Sequence, residues 1–178
     1  MDAGYTIRLA TPRDTALLPG IERAAARLFL EHAEALGLTS EMLERTNSVQ
    51  DLARAEQAGL LWVAATREDT PVGFALLSEM DGAVHLDELD VHPSHARRGL
   101  GSALVKRVCE SAQAAGRDRV TLSTFRDVPW NAPFYARHGF RVLRPAEMTP
   151  GLIRLREGEQ GRGLRTDLRV VMRYDCRY

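Results

Sequence analysis

The residues best suited to chemistry lie in one run, Leu89-Asp90-Val91-His92-Pro93-Ser94-His95-Ala96-Arg97-Arg98-Gly99-Leu100-Gly101-Ser102. A strand stops at Pro93, a turn carries two arginines, and Gly99 and Gly101 open an amphipathic helix. The first N–H groups of a helix have no acceptor inside it, and the aligned peptide dipoles add positive potential at that end. Glycines let a ligand approach those amides closely. Arg97 and Arg98 sit where a cation is slightly unfavourable, and a bound anion would reverse that sign. The run therefore suits a phosphate or pyrophosphate. No Gly-Lys-Ser/Thr follows, so it is not a Walker loop. The dinucleotide pattern fails as well, because Leu104 stands at its third glycine. The plainer alternative is a solvated basic turn beside a packing glycine.

The elements that must hold this run can be read from periodicity and punctuation. A first strand is predicted over Tyr5 to Leu9. Thr11-Pro12-Arg13-Asp14 should start a helix with Leu17, Leu18, Ile21, Ala24, Ala25 and Leu28 on one face, interrupted at Gly37. A second helix should open at Ser40 and end near Gly59. Leu60 to Thr66 and Val72 to Met80 read as strands, and Asp81-Gly82 signals a tight hairpin into a fourth strand, Ala83 to Val91. The long helix runs from about Gly99 to Ala115, with Leu100, Leu104, Val108, Ala112 and Ala115 on its apolar stripe. Val120 to Thr124 is a fifth strand, which makes a parallel, right-handed crossover from the fourth. Asn131 can cap a short helix ending at Gly139. Phe140 to Leu143 and Leu168 to Tyr174 supply two last strands. Arg144 to Arg165 reads as a long Gly-rich segment, with one helical turn at Leu152, Ile153 and Leu155.

Composition narrows the field. The chain has 178 residues, 24 Lys+Arg against 24 Asp+Glu, and 44% hydrophobic residues. That suits one globular domain spanning 1–178 and not a disordered chain. A dedicated nucleic-acid binder would show a basic excess. No apolar run approaches the ~20 residues of a membrane span. The N-terminus lacks a basic start followed by an apolar run, so a cytoplasmic location without membrane contact is expected. Cys109 and Cys176 can form neither a disulfide framework nor a four-ligand zinc site. His92 and His95 are three apart but lack a third ligand at sensible spacing, so no metal is expected.

With these residues in view, the chain resembles the GCN5-related N-acetyltransferase (GNAT) superfamily. Its acyl-CoA loop reads Gln/Arg-x-x-Gly-x-Gly/Ala after a strand ending near Val-x-Pro. Gly99 and Gly101 match the small positions, whereas Ala96 stands at the Gln/Arg position. Arg97 or Arg98 can supply the missing cation. Asn131-Ala132-Pro133-Phe134-Tyr135-Ala136-Arg137-His138-Gly139-Phe140 resembles the second signature, Phe-Tyr-x-x-x-Gly-Phe. An asparagine often found seven residues before the tyrosine is Val128 here; Asn131 is nearer. The resemblance covers Tyr5 to Phe140. It implies an α/β (α+β) fold: a mixed, mostly antiparallel sheet of about seven strands with a V-shaped splay between strands 4 and 5, and helices on both faces. It further implies acetyl-CoA as co-substrate, its pantetheine arm along Leu89, Asp90 and Val91. Its pyrophosphate would rest on the amides of Arg97, Arg98, Gly99, Leu100, Gly101 and Ser102, with Asn131 a further contact. Dimers are common in such families, which leaves a homodimer open.

The chemistry implied is acetyl transfer to an amine. At pH 7 only about one alkylamine in 2,500 is neutral, which adds roughly 4–5 kcal/mol to the barrier. A general base would help. His85, Asp87 and Glu88 are the candidates; His85 and Asp87 share one face of the strand and Glu88 takes the other. Glu88 is favoured because it precedes Leu89, which by the resemblance lines the thioester. Tyr135 is the natural proton donor to the departing thiolate. A fourth-strand N–H, Val91 foremost, would meet the oxyanion. The runner-up function is a non-catalytic acyl-CoA-binding or sensor domain. The acceptor amine has no signature in the sequence.

Overall fold

The computed structural model describes residues 4–176. Seven strands form one sheet in the order β1-β2-β3-β4-β5-β7-β6, with helices between them in the chain. They are β1 (Tyr5–Leu9), β2 (Leu61–Thr66), β3 (Pro71–Met80), β4 (Ala83–Val91), β5 (Arg119–Phe125), β6 (Arg141–Val142) and β7 (Arg169–Asp175). β1/β2, β2/β3, β5/β7 and β6/β7 pair antiparallel, and β4/β5 pair parallel. The mixed seven-stranded sheet expected from the sequence is present. The turn between β3 and β4 has Asp81 at φ 50° and Gly82 at φ 77°, the left-handed pair that a tight hairpin requires.

The β4/β5 ladder joins Val84, His85 and Leu86 to Val120, Thr121 and Leu122. Both strands continue beyond it, β4 to Val91 and β5 to Phe125. Burial along β4 changes at the same point. Ala83 to Leu86 are buried on both faces, Asp87 is exposed, and Glu88 to Val91 are half-buried.

Contacts divide the chain into two compact units, one of residues 4–78 and 87–108, the other of 79–86 and 109–176. In the first, α1 (Leu18–Ala26) packs Leu18 and Ile21 with Leu52, Leu61, Val63, Phe74 and Leu76. The residues before α1 do not continue the helix. The Asp14 carboxylate accepts from Thr11 N (2.7 Å), Thr11 Oγ1 (2.9 Å) and the Arg8 guanidinium (2.7 Å), which locks a turn instead. Leu17 and Leu28, expected on the buried face, are 52% and 47% exposed, because the helix starts at Leu18 and tightens to a 3₁₀ turn at Arg27–His32. A four-residue α2 (Ala33–Leu36) follows and ends at Gly37. The single helix expected from Ser40 is two: α3 (Ser40–Glu44), capped by Thr39, and α4 (Val49–Gln57), capped by Ser48. The break is held by Glu22, whose carboxylate accepts from Asn47 N (2.9 Å) and Asn47 Nδ2 (3.0 Å).

α5 (Leu100–Ala114) runs from the first unit into the second. There, α6 (Ala132–Arg137) precedes β6. α7 (Pro150–Gly161) fills most of the segment expected to be a Gly-rich loop with one turn. Two distant interactions stabilise α7. The hairpin residue Asp81 accepts from Gly151 N (2.7 Å) and Thr149 Oγ1 and so caps the helix. Leu152 is buried with Leu143 and Val171. No helix among the described residues is long and apolar enough to cross a membrane.

Candidate active site

β4 leaves the sheet's buried centre and delivers its second half beside β3. Gly73 allows the close approach: a Cβ there would stand 2.8 Å from the Asp90 carbonyl oxygen and 3.1 Å from Val91 Cγ2. His92 N then donates to Val72 O (2.8 Å), fixing where the strand stops. A 3₁₀ turn at Pro93–His95 follows, and the chain enters the Ala96–Gly99 turn.

That turn carries two residues of left-handed backbone. Arg97 adopts φ 58° and Gly99 φ 78°, two left-handed residues flanking Arg98. Alternating handedness curls successive N–H groups toward a common centre. A non-glycine residue in that region costs about 1–2 kcal/mol, so Arg97 is held there by its surroundings. Ala96 to Gly99 are exposed, whereas Leu100, Leu104, Val105 and Val108 are buried and anchor α5 behind them. The first helical bond runs from Ala103 N to Gly99 O (3.0 Å), so the helix itself offers no acceptor to the Leu100 and Gly101 amides.

The acidic groups sort by face. Glu88 and Asp90 share one side of β4. Asp90 is raised well above the ordinary carboxylate range, first by loss of water, then by Glu88 and by Glu22 of α1. Glu22 is itself raised by burial, against the two bonds from Asn47. Three carboxylates are thus within electrostatic reach, a grouping the sequence reading did not foresee, because Glu22 lies 66 residues before Glu88. On the other face, Asp87 is pushed up to about 6 by desolvation, opposed by a hydrogen bond with Ser78. Part of the residue's surface is open even so.

His85 does not share this environment. It is 2% exposed, and its Nδ1 lies 2.8 Å from Thr121 Oγ1 in the paired part of β4. Burial lowers it to about 4, with Glu159 pulling the other way. As a neutral core histidine it is the least suited of the three candidates to take a proton from substrate. His92 and His95 also have partners of their own: His92 Nδ1 is 2.7 Å from Ser94 Oγ, and His95 Nδ1 is 2.8 Å from the Tyr5 hydroxyl. Among the described residues no three His, Cys, Asp or Glu side chains gather as a metal set.

In the second unit, Tyr135 of α6 is buried at 9% exposure. Its ring meets Phe134 and Phe140 edge-on, with centroids at 5.1 and 5.7 Å. The Tyr135 carbonyl accepts from Phe140 N (3.1 Å), so the Gly139 turn locks the helix end behind the tyrosine. Asn131 occupies the N-cap position, but its side chain makes no cap bond, contrary to the sequence reading; its carbonyl accepts from Phe134 N and Tyr135 N. Cys109 and Cys176 are buried free thiols, and burial pushes Cys109 up to about 12.

Fold and sequence together define a class. The chain superposes on the PaiA N-acetyltransferase of Thermoplasma acidophilum, solved in complex with coenzyme A (17% identity, TM-score 0.63, 98% of this chain and 99% of that one). It superposes equally on the ribosomal-protein-S18-alanine N-acetyltransferase of Escherichia coli (18% identity, TM-score 0.65, 98% and 95%). Residues 25–140 match the acetyltransferase (GNAT) family, and the chain belongs to it. The peptidyl-lysine N-acetyltransferase YjaB of Salmonella typhimurium is 32% identical over 88 residues, 49% of this chain and 54% of that protein. The matched stretch thus spans about half the length of this curated relative. The family's co-substrate is acetyl-CoA.

Proposed function

We propose that this protein is an acetyl-CoA-dependent N-acetyltransferase that moves an acetyl group to a primary amine by direct transfer within a ternary complex. The observation that carries the reading is the left-handed pair Arg97 and Gly99 at the mouth of α5, immediately after the half-buried end of β4. Such a turn presents amides to a diphosphate, with Arg97 and Arg98 adding charge. Ala96, Leu100, Gly101 and Ser102 complete the cradle. Leu89, Asp90 and Val91 offer strand-like backbone to the pantetheine arm, and Asn131 is a further contact.

In this reading the Glu88 carboxylate takes a proton from the acceptor ammonium, directly or through water. The amine nitrogen bonds to the thioester carbonyl carbon while the Val91 N–H receives the developing oxyanion. The oxyanion collapses, the carbon–sulfur bond breaks and Tyr135 protonates the leaving thiolate. The second proton of the acylated nitrogen then returns to the Tyr135 phenolate, leaving a neutral amide, and Glu88 gives its proton to solvent. Asp90, whose surroundings favour its protonated form, is held there in part by the Glu88 carboxylate. YjaB is named for peptidyl-lysine, and the Escherichia coli neighbour for a protein's alanine, so protein amines belong in the acceptor panel.

The test is thiol release from acetyl-CoA with a panel of small amines and lysine peptides. Tyr135→Phe should lower kcat by about a hundredfold, the low end of a general-acid contribution, and leave acetyl-CoA affinity unchanged. Equal losses in both would contradict the acid role. Tight acetyl-CoA binding with no thiol release on any amine would make the protein a binding domain instead.

A further inference from the structure

Tyr5, at the start of β1, touches the anion cradle from a distance of ninety residues in the chain. Its hydroxyl lies 2.8 Å from His95 Nδ1. Its ring meets the imidazole edge-on, with centroids 5.8 Å apart. The same ring lies 6.0 Å from the Arg98 guanidinium carbon. One side chain therefore contacts the residue before the turn and a residue inside it. His95 is also braced by the His92 ring at 6.2 Å. Between His95 and Gly99 lies Arg97, the non-glycine residue in a left-handed conformation, which must be held by something.

We infer that Tyr5 is a positioning residue for the diphosphate cradle, gripping His95 through its hydroxyl and Arg98 through its ring face. The inference rests on the acetyl-CoA reading above and extends it to a residue outside the loop. Each contact removes a freedom that the turn would otherwise have to lose on binding. Fixing both flanks keeps the amides of Arg97 to Gly101 convergent before the ligand arrives, which is how preorganisation raises affinity. The ring also holds the Arg98 guanidinium at the cradle by cation–π attraction. β1 is joined to β2 along its full length, so the anchor is rigid. The effect should be confined to ligands that carry the diphosphate.

The experiment compares acetyl-CoA with S-acetylpantetheine, which bears the same thioester but no diphosphate, for the wild type, Tyr5→Phe and Tyr5→Leu. Calorimetry gives acetyl-CoA affinity, and thiol release with an accepted amine gives kcat and KM. Tyr5→Phe loses only the hydroxyl and should raise the acetyl-CoA KM about fivefold, the effect of one ordinary hydrogen bond on an equilibrium. Tyr5→Leu loses the ring face as well and should raise it further. Both should keep the wild-type kcat and the wild-type kcat/KM for S-acetylpantetheine. His95→Asn, which places an amide where Nδ1 was, should bind acetyl-CoA better than His95→Ala. An unchanged acetyl-CoA KM in both Tyr5 variants, or equal losses with both thioesters, would overturn the assignment. Failure of the wild type to bind acetyl-CoA at all would instead overturn the acetyltransferase reading and the strap with it.

Discussion

Acid should destabilise this protein through one buried histidine. His85 is 2% exposed, and its folded value is lowered from 6.5 to about 4, mainly by loss of water. The neutral form is favoured in the fold, so between those two pH values the unfolded chain binds the extra proton. Stability contributed by the neutral imidazole is therefore fully present above pH 6.5 and lost as pH falls toward 4. At 1.36 kcal/mol per pH unit the whole loss is about 3 kcal/mol. Glu22, Asp87 and Asp90 act in the opposite sense, because their folded values are raised and acidification relieves them. The wild-type curve alone mixes these effects, and a difference measurement separates them. His85→Asn keeps an amide near Thr121 Oγ1 without a titrating ring. Urea unfolding of both proteins at half-unit steps from pH 7 to pH 4.5 gives two stability curves. The variant should be less stable at pH 7, and the gap should close by about 2–3 kcal/mol on acidification. A constant gap across the range would refute the account of His85 as a neutral core residue.

Two further perturbations test the packing that shapes the site. Gly73→Ala places a Cβ against the Asp90 carbonyl at 2.8 Å, and backbone cannot rotate away. It should cost about 1–3 kcal/mol and raise the acetyl-CoA KM by shifting Leu89 to Val91; a wild-type melting curve would count against the close approach. Glu159→Ala strips the carboxylate that Arg169 meets at 2.9 Å and Arg156 at 3.3 Å, within a site where Glu159 is 2% exposed. Arg169, mostly shielded and left with the Ser123 carbonyl and the Phe125 ring as partners, loses its carboxylate, which should cost about 3 kcal/mol in chemical unfolding; a loss below ~1 kcal/mol would show that water reaches the site.

What the sequence revealed and what it hid divide by distance along the chain. The Asp81-Gly82 turn, the strand stop at Pro93 and the glycine at the mouth of α5 are local signals, and each is found where its chemistry demands. α7 was hidden because Gly151, Gly158 and Gly161 lower its intrinsic propensity. Its cap is Asp81, about seventy residues away, and its buried Glu159 is matched by Arg169. Likewise, nothing near Asn47 announces that Glu22 will break the helix there. The choice of base has the same character. Alternation separates His85 and Asp87 from Glu88 and Asp90, yet cannot rank the faces. What distinguishes the two faces comes from long-range partners. Burial keeps His85 neutral beside Thr121, whereas Glu22 reaches Asp90 from α1 and, with burial and Glu88, raises it. A cluster of like charges stays compact by retaining a proton, and a cationic amine entering it would relieve the repulsion and release that proton. A cation reaching this face would therefore shift the protonation of a coupled carboxylate group, whereas on the opposite face Asp87 is raised by burial and opposed by its bond with Ser78.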